Sequence, residues 1–326
     1  MKKSKERFAK TNKYWYNVMT FKIKEVRTLK NLDTERGNPK TVDIDSMSVE
    51  NILRIMNEED ATIPLCIREA LQDIERVVQK CIEAHRKGGR IVYLGAGTSG
   101  RLAIVDAVET VPTFNASADE FTYIMAGGKE AVYRSLEAVE DNEDAAQSEL
   151  SRININQDDI LIGITASGRT PFVKGALQYA SNKGAETVLI ANVENPELAS
   201  HANHVIKIVT GPEVITGSTR LKAGTSQKMV LNMISTATMI KQGKVYGNHM
   251  VDVLTLNEKL KVRATNMVCE ITGMERKKAR ATLEACNWKV KAAIVSLLLD
   301  VDTQKAEELL EKHDGFVRKA VSQYKG

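Results

Sequence analysis

A loop rich in glycine and hydroxyl residues is the first segment whose residue types and spacing suggest chemistry. Residues 95–101 read Gly-Ala-Gly-Thr-Ser-Gly-Arg, and they follow an apolar, β-rich run at 90–94. The segment after them has the apolar spacing of a helix. Glycines let a ligand approach the backbone closely, and a helix N-terminus offers unpaired N–H groups and a positive dipole end. The loop therefore predicts an anion-binding site, with Gly97, Thr98 and Ser99 as candidate ligand contacts.

Two other interpretations of this loop remain open. It lacks the Gly-Lys-Ser/Thr sequence of a P-loop, but its glycines fit the GxGxxG pattern of a dinucleotide site. A dinucleotide fold requires an acidic residue at the end of a second strand about 20 residues later, and this chain has none there. An ordinary strand-to-helix turn without a ligand is the remaining alternative.

A second loop of the same kind lies at 165–171, which read Thr-Ala-Ser-Gly-Arg-Thr-Pro. It follows another apolar strand, and Pro171 suits the first turn of a helix. Here the candidate ligand contacts are Ser167, Gly168 and Thr170. Two such loops at one edge of one sheet would give a sugar phosphate its hydroxyl and N–H donors.

The elements around these loops alternate between strand and helix. Further strands are predicted at 121–125, 159–164, 187–191 and 204–209. This alternation predicts an α/β fold, a parallel sheet with helices on both faces (a Rossmann-like, three-layer αβα domain), and ligands beyond the carboxyl ends of the strands. After Gly224 the strand signals stop. A long helix is expected over 225–242, and a compact three-helix unit over 266–310 serves packing or dimer contacts.

Composition is that of an ordinary globular protein, with 43% hydrophobic and 27% charged residues in 326. No apolar run approaches the length of a membrane span. The net charge of +4 arises from residues 1–30, whose ten Lys or Arg and two Glu leave −4 for the rest. Such a basic arm could touch nucleic acid or membrane, but a solvated extension is the commoner case. The four cysteines are scattered without a CxxC pair, so we expect reduced thiols in a cytoplasmic protein and no metal site.

The paired loops resemble the sugar-phosphate-binding fold of the sugar isomerase (SIS) superfamily, and longer stretches resemble the N-acetylmuramic acid 6-phosphate etherases within it. The resemblance covers roughly residues 29–320. It implies a basic N-terminal extension at 1–28, an SIS domain at 29–262 and a helical, UBA-like domain at 263–326. The matching stretches are 34–36 with 38–39, 95–101, 166–171, 217–225, 227–233 and 243–248.

The family's chemistry is cleavage of the lactyl ether of N-acetylmuramic acid 6-phosphate, giving N-acetylglucosamine 6-phosphate and D-lactate. The resemblance implies an elimination followed by addition of water, with amino-sugar and cell-wall recycling as the setting. A base removes the proton at carbon 2 of the open-chain sugar, and an acid protonates the ether oxygen as lactate leaves carbon 3. This route needs two proton-transfer groups, one protonated and one ionised, and neither a metal nor a cofactor.

Two glutamates match the family's acidic positions. By the resemblance, Glu109, at the end of the helix after the first loop, is the proton donor to lactate. Glu140, expected on a later helix, is the partner acid/base at carbon 2. From the sequence alone, each is more readily explained as a solvated helix charge. The family usually has Cys-Pro-Pro after the first glutamate, whereas this chain has Thr110-Val111-Pro112.

A polar cluster at 213–228 also has two interpretations. It forms either a charged loop and helix face, or a cradle in which Ser218, Thr219 and Lys222 hold the sugar or its carboxylate.

The partners expected are a sugar phosphate and a second copy of this chain, with neither nucleic acid nor membrane. A single module of this kind usually completes its pocket across a two-fold interface, so the resemblance implies a homodimer. Two alternatives share the fold, a non-catalytic sugar-phosphate-binding regulator like the vertebrate glucokinase regulator and an aldose–ketose isomerase. The regulator carries two SIS modules in a longer chain, and the length of the matching motifs argues against the isomerase.

Overall fold

The computed structural model describes residues 33–136, 138–253, 255 and 257–324, so the predicted extension at 1–28 lies outside the described residues. The helices are α1 (Val49–Asp60), α2 (Ile63–Glu69), α3 (Leu71–Arg86), α4 (Gly97–Phe114), α5 (Gly128–Tyr133), α6 (Glu143–Arg152), α7 (Pro171–Asn182), α8 (Lys222–Lys241), α9 (Glu258–Thr272), α10 (Arg276–Ala285), α11 (Val290–Leu299), α12 (Thr303–Lys312) and α13 (Val317–Tyr324). The strands are β1 (Ile91–Gly95), β2 (Phe121–Met125), β3 (Ile160–Thr165), β4 (Glu186–Ala191), β5 (His204–Lys207), β6 (Val245–Tyr246) and β7 (His249–Met250).

Five of these strands form one parallel sheet in the order β2-β1-β3-β4-β5. From β1 the chain crosses to β2 on one side, and from β3 it continues outward through β4 and β5 on the other. The strand order therefore reverses between β1 and β3. In open α/β sheets this switch point opens a crevice beyond the carboxyl ends of the strands.

Helices cover both faces of the sheet, which confirms the three-layer α/β prediction. One face packs Ile91, Tyr93 and Ile162 against α2, α3, α4 and α8. The opposite face packs Val92 and Leu161 against α6 and α7. Successive side chains of a strand point to opposite faces, so each buried strand contributes to both clusters.

The apolar spacing of residues 65–87 predicts one helix, but the structure has two, because the chain turns at Ala70 between α2 and α3. Ser48 caps α1, its side chain accepting a hydrogen bond from the N–H of Asn51 at 3.3 Å. The polar segment at 34–41 begins with a short 3-10 turn, Asp33–Glu35, and continues as a loop.

Two expectations for the C-terminal part were wrong. Strand structure does not stop at Gly224, because β6 and β7 form a two-residue antiparallel hairpin. The three-helix unit predicted over 266–310 includes a fourth helix, α12, and α13 follows it, since both charged helices supply apolar side chains such as Ala306 and Val317 to the same core. The described part of the chain contains no helix long and apolar enough to cross a membrane.

Candidate functional site

A cavity of about 250 Å³ opens at the switch point between β1 and β3. Five chain segments meet there, although they are far apart in the sequence. The lining consists of residues 96–99 after β1, residues 164–167 with Thr170 after β3, Glu140, the pair Thr34 and Glu35, and Gly217 with Thr219.

The first loop presents the N-terminus of α4 to this cavity. α4 begins at Gly97, whose φ of +53° is a backbone conformation that glycine adopts without strain. Gly100 lies so close to the strand that an added Cβ would be 2.7 Å from the carbonyl oxygen of Gly95. The buried Ser99 hydroxyl donates to Oε1 of Gln227 at 2.8 Å, and Nε2 of Gln227 donates to Oδ1 of Asn192 at 2.8 Å. This buried network fixes the orientation of the loop against α8.

The second loop presents the N-terminus of α7 and a cluster of hydroxyl groups. Oγ1 of Thr165 lies 2.8 Å from Oγ1 of Thr170 and accepts a hydrogen bond from the N–H of Gly168 at 3.3 Å. Gly168 has a φ of +71°, and a Cβ there would be 2.5 Å from Cβ of Pro196. It does not line the cavity but permits the turn that places Ser167 and Thr170 there.

Glu140 reaches the cavity from a 3-10 turn, Val139–Asp141, and not from a helix as predicted. α5 ends at Tyr133, and the chain adopts a left-handed conformation at Ala138 before the turn. Arg101 of the first loop supports this segment. Its guanidinium donates to the carbonyl oxygens of Ala131 at 2.7 Å and Arg134 at 2.9 Å, where the helix ends.

Glu109 does not line the cavity of its own chain. It is exposed on α4, twelve residues beyond Gly97, a separation of about 18 Å along the helix axis. Its neighbours Val105 and Val108 are 55% and 48% exposed, so this stretch of α4 presents apolar surface beside the carboxylate. The replacement at Thr110 leaves the helix intact, because its buried hydroxyl donates to the carbonyl of Ala107 at 2.7 Å.

A buried carboxyl group, Asp106, lies one turn before Glu109 and faces the interior. It accepts hydrogen bonds from Asn232 at 2.6 Å, Tyr93 at 3.1 Å and Ser235 at 3.1 Å. Burial raises the pKa of Asp106, and hydrogen bonds from these three side chains offset part of that effect. Asp106 thereby joins β1, α4 and α8 behind the site.

The cluster at 213–228 contributes Thr219 to the cavity but not Ser218 or Lys222. Lys222 is 3% exposed, and its ammonium lies 2.7 Å from Oε2 of Glu59. Glu213 accepts hydrogen bonds from the N–H groups of Lys222 and Ala223, both at 2.9 Å, and so caps α8. The polar residues here hold the loop against the helix, and only its tip faces the ligand space.

Sequence reasoning did not select Thr34, Glu35, Thr165 or Gly217 as site residues. The stretch 34–36 carries a family resemblance but no site signal of its own, because nothing local indicates where a loop more than 50 residues before β1 will fold. Among the described residues, no group of three His, Cys, Asp or Glu side chains is placed to hold a metal ion.

Comparisons with known proteins found relatives that cover most of this chain. The family described as "Glucokinase regulatory protein N-terminal SIS domain" matches residues 73–181, and "UBA-like domain" matches 268–296. An N-acetylmuramic acid 6-phosphate etherase from Petrotoga mobilis is 52% identical, over 88% of this chain and 96% of its own. Enzymes of the same name from Pseudothermotoga lettingae (49%, over 90% and 98%) and a Geobacillus species (50%, over 90% and 99%) are also similar. Among solved structures, a phosphoheptose isomerase from Francisella tularensis has a TM-score of 0.47 at 16% identity, covering 59% of this chain and 98% of that one.

Proposed function

This chain belongs to the N-acetylmuramic acid 6-phosphate etherase family, and on that premise we propose how its pocket cleaves the lactyl ether of N-acetylmuramic acid 6-phosphate. The products are N-acetylglucosamine 6-phosphate and D-lactate. One observation carries the proposal. Two helix N-termini bearing hydroxyl groups open into the same cavity as the Glu140 carboxylate.

The phosphate binds at the N-termini of α4 and α7. Free N–H groups of the first turns and the hydroxyls of Thr98, Ser167 and Thr170 supply the donors, and both helix dipoles favour negative charge there. The sugar chain then extends toward Glu140. The negative charge of Glu140 repels a phosphate. The substrate therefore lies with its phosphate at the helix N-termini and its sugar carbons toward Glu140.

Glu140 takes the proton from carbon 2 of the open-chain sugar, which the neighbouring aldehyde makes acidic. The electron pair left on carbon 2 forms the double bond to carbon 3 as the carbon 3–oxygen bond breaks. Glu109 protonates the departing ether oxygen, releasing D-lactate. Water then adds its oxygen to carbon 3 and a proton returns to carbon 2, which balances the hydrolysis of the ether.

We further propose that the enzyme is a homodimer in which Glu109 acts in the partner's pocket. Within one chain, Glu140 lines the cavity while Glu109 lies on the exposed side of α4. Val105 and Val108 expose apolar surface on the same stretch of helix, as expected for a surface covered by a second copy. A two-fold axis along this surface would bring Glu109 of each subunit to the other's pocket.

The domain division at 29–262 and 263–326 remains our proposal, supported by a separate helical core and by the UBA-like match at 268–296. We also propose a cytoplasmic location, supported by four unpaired cysteines. Burial raises the pKa of the Cys81 thiol to about 12, which makes it a packing residue.

The deciding experiment is turnover of N-acetylmuramic acid 6-phosphate in water enriched in oxygen-18. We expect D-lactate without the label and N-acetylglucosamine 6-phosphate with the label on carbon 3, because water adds there. Label in lactate would contradict the elimination route. Saturable binding of the sugar phosphate without lactate would contradict the enzyme and favour the regulator, whose domain family matches 73–181.

A further inference from the structure

We propose that Thr34 and Glu35 form a sugar-recognition pair, in which the Thr34 hydroxyl and the Glu35 carboxylate bind polar hydrogens on the carbon chain of the substrate. Their ligands are hydroxyl or amide N–H groups, not the phosphate. The inference rests on the proposed function only in requiring a sugar phosphate in this cavity.

Thr34 is a buried polar residue at the wall of the cavity. Its residue is 1% exposed, it lines the cavity, and its Oγ1 has no hydrogen-bond partner among the described residues. Buried hydroxyl groups are almost always hydrogen-bonded, because leaving one unpaired costs stability. Because Thr34 also lines the cavity, a polar group of a bound ligand is the partner that we infer for this hydroxyl.

Glu35 adds a second carboxylate to a cavity that already contains Glu140. Its Oε2 lies against the loop carrying Thr219, 3.2 Å from where a Cβ on Gly217 would be. An ionised carboxylate only accepts hydrogen bonds, so it binds hydroxyl or N–H groups and repels a phosphate or a lactyl carboxylate. Together with the helix N-termini, Glu35 therefore distinguishes the sugar part of the ligand from its anionic parts.

The segment carrying the pair is held in place from outside the cavity. Nδ2 of Asn38 donates to Oε2 of Glu59 at 2.9 Å, and Nζ of Lys40 lies 2.8 Å from Oε1. The same Glu59 binds Lys222 at the start of α8, so one carboxylate fixes the segment to the helix behind the site. Because this anchoring holds Thr34 and Glu35 in place before the ligand arrives, binding loses little conformational entropy in this segment.

The test compares Thr34→Val and Glu35→Gln with two matched controls. Thr41→Val removes a buried hydroxyl of the same segment that donates to the Asn38 carbonyl at 3.4 Å and does not line the cavity. Glu50→Gln removes an exposed carboxylate of α1. Calorimetry would measure dissociation constants for N-acetylglucosamine 6-phosphate and for inorganic phosphate, and turnover assays would give KM and kcat.

We expect Thr34→Val to weaken sugar-phosphate binding by about 3- to 10-fold and Glu35→Gln by about 10- to 100-fold, the losses typical of neutral and charged hydrogen bonds. Inorganic phosphate should bind as it does to the parent, KM should rise more than kcat falls, and both controls should match the parent. Equal weakening of both ligands, or unchanged sugar-phosphate binding, would overturn the inference.

The binding measurements separate this inference from the proposed function. A parent protein that binds the sugar phosphate selectively through Thr34 and Glu35, yet releases no lactate, would contradict the function and support the pair. If the parent releases lactate normally, and the Thr34 and Glu35 variants keep the parent's affinity and KM, the function would be supported and the pair contradicted.

Discussion

At the scale of single residues, the site is defined by which polar groups face the cavity and which are used for structure. Glu140 is exposed at the cavity and therefore accessible to a substrate. Lys222, which the sequence offered as a ligand contact, has its charge committed to Glu59. The residue types alone cannot distinguish these cases, since both are charged residues in polar stretches.

Replacing Glu140 with glutamine should lower kcat by about 10²- to 10⁴-fold, the usual contribution of a general base. Exchange of the carbon 2 proton in deuterated water, followed by NMR, should be lost together with lactate release, because both need the same base. Asp141→Asn is the matched control, as Asp141 is the next residue in the same turn and does not line the cavity. Retained carbon 2 exchange in Glu140→Gln would assign the base to another residue.

At the scale of elements, strands and helix starts are positioned by close backbone contacts and by a few buried polar groups. The first loop depends on Gly100 against Gly95, and the start of α8 depends on Glu213 and Glu59. Both features bring the loops to the cavity edge without facing the ligand themselves. They give rise to two predictions about stability.

Gly100→Ala should destabilise the protein by about 1–3 kcal/mol and weaken phosphate binding, because the new Cβ would press on the backbone of β1. Gly37→Ala is the control, since its Cβ would make an ordinary 3.8 Å contact with Thr216. Urea unfolding gives the stability difference, and calorimetry with inorganic phosphate gives the binding difference. Equal stability of the two variants would show that the close contact at Gly100 relaxes freely.

Glu59 should make the stability of the protein depend on acid. Burial opposes its charge, but hydrogen bonds from Lys222, Lys40 and Asn38 prevail and lower its pKa from 4.5 to about 2. A lowered carboxyl pKa stabilises the folded state above the ordinary pKa, and that contribution is lost as the pH falls from about 4.5 through 2. The shift corresponds to about 3 kcal/mol.

The measurement is the free energy of unfolding of the parent and of Glu59→Gln between pH 7 and pH 2. At pH 7 the variant should be less stable by about 3–5 kcal/mol, because Lys222 keeps a buried charge without its partner. The difference should shrink below pH 4.5. A constant difference down to pH 2 would contradict the low pKa.

At the scale of the whole molecule, Glu109 and Glu140, the two glutamates that we propose as acid and base, are separated within one chain. The N-terminus of α4 lines the cavity, whereas the length of the helix carries Glu109 away from it. The exposed Val105 and Val108 lie on the same stretch of that helix. A dimer would cover this apolar surface and complete each pocket with a residue from the other subunit.

Mixing subunits tests this arrangement directly. Glu109→Gln and Glu140→Gln should each be nearly inactive, yet an equal mixture allowed to exchange subunits should recover about a quarter of the parent activity. Half of the dimers would then be mixed, and each mixed dimer would have one intact pocket. If both glutamates acted within one chain, mixing would restore nothing. Sedimentation analysis of the parent provides the control for dimer formation.

The sequence by itself determined the fold class, the two glycine- and hydroxyl-rich loops that line the cavity, and the family. Strand periodicity and glycine-hydroxyl loops are local signals, and they correctly located β1, β2, β3 and the start of α7, whereas α4 begins at Gly97, inside the predicted loop. Local spacing failed where long-range packing decides the structure, as in the 3-10 turn that carries Glu140 and the extra C-terminal helices.

Only the tertiary structure decided which side chains share the cavity. Thr34 and Glu35 enter it because Glu59 ties their segment to α8, across more than 160 positions of sequence. The separation of Glu109 from Glu140 likewise follows from the length and direction of α4, not from any local pattern. Hydrogen bonds and apolar packing between distant segments set these positions. The spacing of residues within one segment does not show which distant segment it will contact.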